Sequence, residues 1–254
     1  MTDAVQTDDA DGVLVITINR PEARNAVNGE VASGIAAAID ELDARDDLRA
    51  GVITGAGGTF CAGMDLKAFL TGERPSISGR GFAGLTEKPP AKPLIAAVEG
   101  YALAGGCEIA LSCDLVVAAE NSKFGLPEVK RGLVAGAGGL LRLPQRIPYQ
   151  IAMELALTGE FLDATRAHHF GLVNWLAEPG TALARARDFA AAIAANGPLA
   201  VLATKKIVSE AGGWPEGEFW ERQGVIMEPV FRSEDAREGA RAFAEKRPPR
   251  WTGR

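Results

Sequence analysis

Short apolar segments alternate with segments of helical period, and that alternation restricts the fold more than any other feature of the chain. The β-branched run 13–18 predicts a strand, ended by Asn19-Arg20-Pro21 because proline cannot donate to a sheet ladder. Val31, Ile35, Ile39 and Leu42 then recur at helical spacing. Residues 51–54 predict a second strand, followed by the flexible loop Gly55-Ala56-Gly57-Gly58 and a mixed segment reaching Leu70. The proline-rich stretch 89–93 precedes a strand over 94–98, a helix over 105–112 opening on two glycines, and a strand over 114–119. Short apolar strands separated by helices predict an α/β core with largely parallel pairing. Strand signals cease near Pro198, and Ser233-Glu234-Asp235 reads as a capped helix start. The predicted organisation is an α/β core over 12–197 and a helical region over 198–254.

Composition narrows the function classes. The 254 residues carry 27 Lys and Arg against 33 Asp and Glu, a net charge of −6. With no basic stripe, the chain is not expected to bind nucleic acid, and an anionic ligand must meet a local cluster of positive charge. No run approaches the ~18 apolar residues of a membrane span; residues 189–195, for example, are stopped by Asp188 and Asn196. A soluble protein with no membrane partner is expected. Residues 1–11 hold four Asp and neither Lys nor Arg, which predicts a disordered acidic tail rather than a basic leader. Cys61, Cys107 and Cys113, an odd number in apolar or glycine-rich surroundings, predict no disulfide framework and a reducing cytoplasm. CxxC and HExxH spacings are absent, and the only histidines, His168 and His169, are adjacent, so no metal site is expected. Both histidines fit a helix end before Gly171, where imidazolium favours the negative dipole terminus.

The chemistry-bearing signals are glycines and two glutamates. Gly57, Gly58 and Gly63 surround Phe60-Cys61-Ala62-Gly63-Met64-Asp65-Leu66-Lys67, and Gly105-Gly106 precede Cys107-Glu108 at a helix start. Glycine permits close backbone approach and a helix N-terminus leaves unpaired N–H donors, so the two places together suit an oxyanion hole. Each stretch alone reads first as a turn. GxGxxG, GxxxxGK[ST] and GxSxG are all absent, which disfavours nucleotide loops and a serine hydrolase. Glu108 lies in an otherwise apolar helix and Glu128 follows the apolar loop Phe124-Gly125-Leu126-Pro127. Carboxyls in apolar settings have raised pKa values, and two in one pocket are pushed apart into an acid and a base. By pattern alone the favoured reading of each is a solvated surface carboxylate.

Four ordered motifs carry a resemblance. The 60–67 segment, then Gly100-Tyr101-Ala102-Leu103-Ala104-Gly105-Gly106-Cys107-Glu108-Ile109-Ala110, Phe124-Gly125-Leu126-Pro127-Glu128-Val129 and Gly136-Ala137-Gly138-Gly139 resemble the signatures of the crotonase (enoyl-CoA hydratase/isomerase) superfamily. The resemblance runs from Val13 to Ala242-Phe243-Ala244-Glu245-Lys246-Arg247. It implies the α/β crotonase fold, a spiral of ββα units with a helical C-terminal trimerisation region, acting on a coenzyme A thioester. Met64 and Gly105 match the oxyanion-hole positions, and Glu108 and Glu128 match the two catalytic glutamates of the hydratases. Contacts to coenzyme A would fall on Arg24, Ala62, Asp65, Leu66 and Lys67, and on Lys246 from a neighbouring subunit. Two departures stand out: Gly58 replaces a lysine that some hydratases use to grip phosphate, and Ala135 replaces a proline common before the last motif.

The implied activity is hydration of a 2-enoyl thioester, with coenzyme A belonging to the substrate and no further cofactor. An isomerase often lacks a glutamate at the position of Glu108, so the pair favours hydration. Gly81-Phe82-Ala83-Gly84-Leu85-Thr86-Glu87 and the segment 233–254 resemble the carnitinyl-CoA dehydratase branch, which leaves that activity as the alternative. A trimethylammonium calls for aromatic faces or acids, and Tyr101 is one of few aromatic candidates among 2 Tyr and 4 Trp. A non-catalytic acyl-CoA-binding protein on the same fold is a third reading, which the retained glutamates disfavour. The acyl pocket wall is expected from the flexible stretch 71–86. Apolar residues after Pro198, among them Trp220, Phe231 and Phe243, predict subunit contact in a homotrimer or a hexamer.

Overall fold

The computed structural model describes residues 4–254. The N-terminal half runs β1 (Val5–Ala10), β2 (Val13–Ile18), α1 (Gly29–Ala44), β3 (Ala50–Gly55), α2 (Leu66–Leu70), β4 (Ser76–Ile77), β5 (Gly81–Phe82) and β6 (Leu94–Val98). Next come β7 (Tyr101–Leu103), α3 (Gly105–Ser112), β8 (Leu115–Ala119), β9 (Lys123–Gly125), the 3-10 turn Pro127–Arg131, α4 (Gly139–Arg146) and α5 (Tyr149–Thr158). The remainder is β10 (Leu162–Asp163), α6 (Ala164–His169), β11 (Trp175–Ala177), α7 (Ala182–Ala194), α8 (Pro198–Glu210), α9 (Phe219–Phe231) and α10 (Glu234–Glu245).

Six strands form the main sheet in the order β1-β2-β3-β6-β8-β11, parallel throughout except for the antiparallel β1–β2 edge. Alternation sends Leu14, Ile16 and Ile18 to one face and Val13 and Val15 to the other, and both sets are buried. The first face packs on α1 through Val31, Ile35, Ile39 and Leu42. The second meets α7, whose Ala182, Ala186 and Ala190, one helical turn apart, lie on Ala50, Val52, Ile95, Ala97 and Val117. Burial on both faces is why these strands read as continuous apolar runs. A smaller sheet, β10-β9-β7, stands beside α3 and carries the loops that form the site.

The predicted acidic tail is corrected. Residues 5–10 are an edge strand, with Val5 opposite Ile18 and 1% exposed; only residues 1–3 of that segment lie outside the described residues. The strand escapes a hydropathy reading because its remaining side chains face outward, where Asp8 pairs with Arg187 at 2.8 Å and Asp9 with Arg45 at 2.9 Å. Charge on an exposed edge also opposes pairing with another chain. Gly55 to Gly58 is likewise held rather than loose: the buried Asn25 amide donates to the carbonyls of Ala56 at 2.8 Å and Thr59 at 2.5 Å.

The three cysteines are free and buried, and α6 ends on His169 before Gly171, with His168 Nδ1 2.9 Å from the Val173 carbonyl. No single described helix is long and apolar enough to cross a membrane; α7 and the segment from Pro198 to Gly213 pass that test only as a pair bent by 109°. The segment after Pro198 is helical. Lys205 on α8 ties it to Asp114 at 2.6 Å, and Asp235 on α10 holds the chain end through the amides of Thr252 at 2.7 Å and Gly253 at 2.9 Å. Trp220, Val225, Phe231 and Phe243 remain 70–88% exposed on the single chain.

Deleting residues 1–11 is expected to lower the melting temperature, with burial of Val5 alone worth about 1.5–3 kcal/mol. Thermal unfolding identical to that of the intact chain would restore the reading of a disordered tail.

Candidate active site

Two backbone amides converge where the 60–64 segment passes the start of α3. Cys61 donates to the Tyr101 carbonyl at 2.9 Å and accepts from Leu103 at 3.0 Å, so the segment runs alongside β7. One step on, Val27 donates to the Gly63 carbonyl at 2.8 Å and accepts from Asp65 at 2.9 Å. That parallel bridge uses both neighbours of Met64 and leaves the Met64 N–H pointing the other way. The Gly105 N–H is the first of α3 and has no partner within the helix. Gly63 has φ +100°, and a Cβ there would sit 2.8 Å from Ala104 Cβ and 3.2 Å from Gly105 N. A Cβ on Gly106 would fall 2.1 Å from the Cys61 carbonyl oxygen. Ala104, with φ 51° and ψ −126°, makes the turn from β7 into α3 in a sparsely populated conformation held by the packing around it.

Glu108 lies one turn into α3 and is 3% exposed. Its Oε1 accepts from the Ala137 amide at 2.7 Å and the Gly139 amide at 2.9 Å. Burial raises its pKa, while these two amides and the charge of Arg142 oppose the rise. Glu128 sits in the 3-10 turn, half-buried, and its Oε2 is enclosed with no hydrogen-bond partner. Desolvation, reinforced by the charge of Glu108, pushes its pKa up to about 7. Burial thus raises both carboxyls, but only Glu108 has loop amides on its carboxyl oxygen and the Arg142 cation opposing the rise, which sets the two apart.

Beside Glu128 opens a cavity of about 290 Å³ lined by Leu126, Val134, Leu143, Tyr149, Met153 and Ala156 among others, in which Glu128 is the one ionisable carboxyl. That lining comes from the 3-10 turn, α4 and α5, and the stretch 71–86, expected to wall the acyl pocket, contributes none of it. Within that stretch Phe82, Ala83, Leu85 and Thr86 are buried, and the Phe82 ring lies 2.5 Å from where a Cβ on Gly105 would stand. It backs the amide pair instead of enclosing the cavity.

The residues expected to hold coenzyme A are mostly brought together. Arg24 accepts from the Ala62 amide through its carbonyl at 3.0 Å, and Lys67 stands exposed in the first turn of α2 beside Leu66, which is 44% exposed. Asp65 caps that helix through the amides of Lys67 at 3.0 Å and Ala68 at 3.3 Å, and pairs with Arg20 at 3.1 Å. At Gly58 a side chain would meet nothing within 4 Å, though φ is +76°. Lys246 closes α10 and shares no hydrogen bond or ion pair with this group. Arg20, Asn25 and Arg142 were given no site role by the sequence, and Phe82 only as part of the 81–87 segment, because their work is to hold together loops that are distant along the chain. Only the 136–139 motif, flanking Arg142, hinted at it.

A family model described as enoyl-CoA hydratase/isomerase matches residues 8–254. The chain is 45% identical over 249 residues to enoyl-CoA hydratase EchA19 of Mycobacterium tuberculosis, covering 95% of this chain and 93% of that one. It is 44% identical over 252 residues to carnitinyl-CoA dehydratase of Salmonella enteritidis, covering 95% of each. Among solved structures, enoyl-CoA hydratase EchA1 of Mycobacterium marinum superposes with a TM-score of 0.98 at 62% identity over 100% of both chains.

Two outcomes follow from the packing and charge of the site. Gly106→Ala should destabilise by about 1–3 kcal/mol in urea unfolding, since the added methyl meets backbone that must shift. Between pH 4.5 and about 7 the folded chain keeps a proton on Glu128 that the unfolded chain loses, so this group makes stability fall as pH rises across that window. Glu128→Gln removes the fall; its melting temperature relative to the parent should be higher at pH 8 than at pH 4, and an equal difference at both would contradict the raised pKa.

Proposed function

The chain belongs to the enoyl-CoA hydratase/isomerase family, and from that premise we propose that it adds water reversibly to a 2-trans-enoyl-CoA thioester, giving a 3-hydroxyacyl-CoA. The observation that carries this reading is the unequal pair of glutamates beside two unpaired amides. Coenzyme A arrives as part of the substrate, and no other cofactor is invoked. The thioester oxygen accepts from the N–H groups of Met64 and Gly105. As water bonds to C3, the C2–C3 π electrons move toward the carbonyl and the developing enolate is stabilised by these donors, each worth about 3 kcal/mol. Glu108 takes the proton from water. Glu128 delivers its proton to C2 as the carbonyl reforms, and a proton passing from Glu108 to Glu128 through solvent restores the starting state.

The acyl chain is assigned to the cavity beside Glu128. Its lining is apolar apart from Glu128 and the Tyr149 ring, which suits an uncharged chain and offers a trimethylammonium one carboxyl and one aromatic face. Tyr101, the aromatic candidate for a cationic chain, is outside that lining and stacks edge-on with Phe161 at 6.4 Å. Carnitinyl-CoA dehydration is the second reading, favoured by the likeness to relatives of that name and by the Tyr149 ring in the cavity. The adenine end of coenzyme A is assigned to Arg24, Ala62, Asp65, Leu66 and Lys67, with Lys246 reaching in from a neighbouring subunit. A homotrimer or a dimer of trimers would cover the exposed apolar residues of α9 and α10.

Crotonyl- to hexadecenoyl-CoA and crotonobetainyl-CoA, followed by loss of enoyl absorbance, test the reading. Uncharged chains should turn over at least tenfold faster in kcat/KM, and preference for crotonobetainyl-CoA would reverse the assignment. Glu108→Gln and Glu128→Gln should each keep folding and ligand binding while lowering hydration about 10²-fold or more. In the parent, kcat/KM for hydration should decline as pH rises through about 7, where Glu128 loses the proton it must donate. For assembly, removing residues 233–254 should weaken both oligomerisation and affinity for coenzyme A, whereas Lys246→Ala should weaken affinity alone, by about 1.5–3 kcal/mol at most. A fully active monomer of the intact chain in light scattering would defeat that assignment.

A further inference from the structure

The cation nearest in effect to Glu108 is Arg142, whose place in the site has a mechanical side. Its Nη2 donates to the Thr86 carbonyl at 2.6 Å and its Nη1 to the Ala137 carbonyl at 3.5 Å. Ala137 is the residue whose own N–H holds Glu108 at 2.7 Å, and Thr86 ends the turn that presses Phe82 against Gly105. The guanidinium reaches across only because residue 138 is glycine: φ there is +95°, and a Cβ would stand 2.2 Å from Arg142 Nη1. Among the described residues Arg142 forms no ion pair, so its donors are spent on loop carbonyls.

We infer that Arg142 is a positioning residue, a brace that locks the loop carrying Glu108's two amide donors to the turn backing the Gly105 amide. Both halves of the reaction centre then hold one relative geometry. A second consequence is electrostatic. The groups facing Glu108 are Arg142 from α4, Glu128 with its neighbour Arg131 from the 3-10 turn, and Cys107 on its own helix, whose thiol burial pushes up to about 12. Arg146, one turn further along α4, acts on Arg142. Arg142 is the cation that favours the ionised form of Glu108.

This inference rests on the hydratase reading, and the test separates the two. Arg142→Gln and Arg142→Lys are compared with the parent by steady-state kinetics across pH and by amide hydrogen exchange over residues 81–87 and 136–140. Arg142→Gln should lower kcat about 10- to 100-fold with KM changed less than about threefold, as expected of lost alignment. Losing the cation disfavours ionised Glu108, so the acidic limb of the kcat profile should move to higher pH. Arg142→Lys should return that limb to the parent position while recovering only part of kcat, because one ammonium does not span both carbonyls. Exchange should rise in both segments together in the Gln variant. Unchanged exchange in both segments, or a parent-like kcat and acidic limb in Arg142→Gln, would overturn the brace. Should Arg142→Gln fail to fold, a parent-like kcat in Arg142→Lys overturns it equally. If the parent itself hydrates no enoyl thioester, the hydratase reading falls, and the exchange measurement still decides the brace.

Discussion

The site depends on one close approach of two backbones, the 61–64 segment against the first turn of α3. Side chains would prevent it. At Gly63, Gly105 and Gly106 a Cβ would come within 2.8 Å of atoms across the contact or behind it, and at Gly106 the obstacle is the carbonyl of Cys61 itself. The approach is what allows two amides from different parts of the chain to face one point. It also explains the strain at Ala104: the chain must leave β7 and begin a helix at once, and surrounding contacts impose φ 51° on a residue that does not prefer it.

From that contact the electrostatics follow. Because α3 begins at the contact, its fourth residue, Glu108, is carried into the interior, where a carboxylate is tolerated only if donors replace water. The 136–139 loop supplies two amides, and Gly139 is there because a Cβ would stand 2.9 Å from Glu108 Cγ and 3.1 Å from Leu126 Cδ2. Glu128 receives no such donors at Oε2 and borders an apolar cavity. Burial raises the pKa of both side chains, and they differ in what opposes the rise: the loop amides and the Arg142 charge act on Glu108 and do not reach Glu128.

How much of this was legible depended on whether local pattern or tertiary placement decided the residue. Val13–Ile18, the 31–42 helical stripe and the 105–112 helix were readable because periodicity and composition agree with their burial. The glutamates were readable as a pair by resemblance, and only as suspicious carboxyls by pattern. The edge strand β1 was misread because an outward-facing VQTDDA segment looks like a solvated tail until its pairing with β2 is known. In the 71–86 stretch the glycines suggested flexibility, whereas Gly81 and Gly84, at φ +75° and +65°, permit tight turns that bury Phe82 and Leu85.

Specificity and catalysis occupy different supports, and this limits how each can change. The amide pair and Glu108 are fixed to the buried junction of β7 and α3, where almost any added atom collides with backbone. The cavity proposed to take the acyl chain is formed largely by α4 and α5, whose Leu140, Tyr149, Met153 and Leu157 are 37–68% exposed on the single chain. Substitutions there change volume and polarity at little cost to the core, because those side chains are not fully packed. On the proposed function, one enolate-stabilising centre can be kept while acyl preference drifts, which accommodates likeness at 44–45% identity to relatives named enoyl-CoA hydratase and carnitinyl-CoA dehydratase. On that proposal, discrimination between the two acyl groups rests on the faces of α4 and α5 and on whatever packs against them.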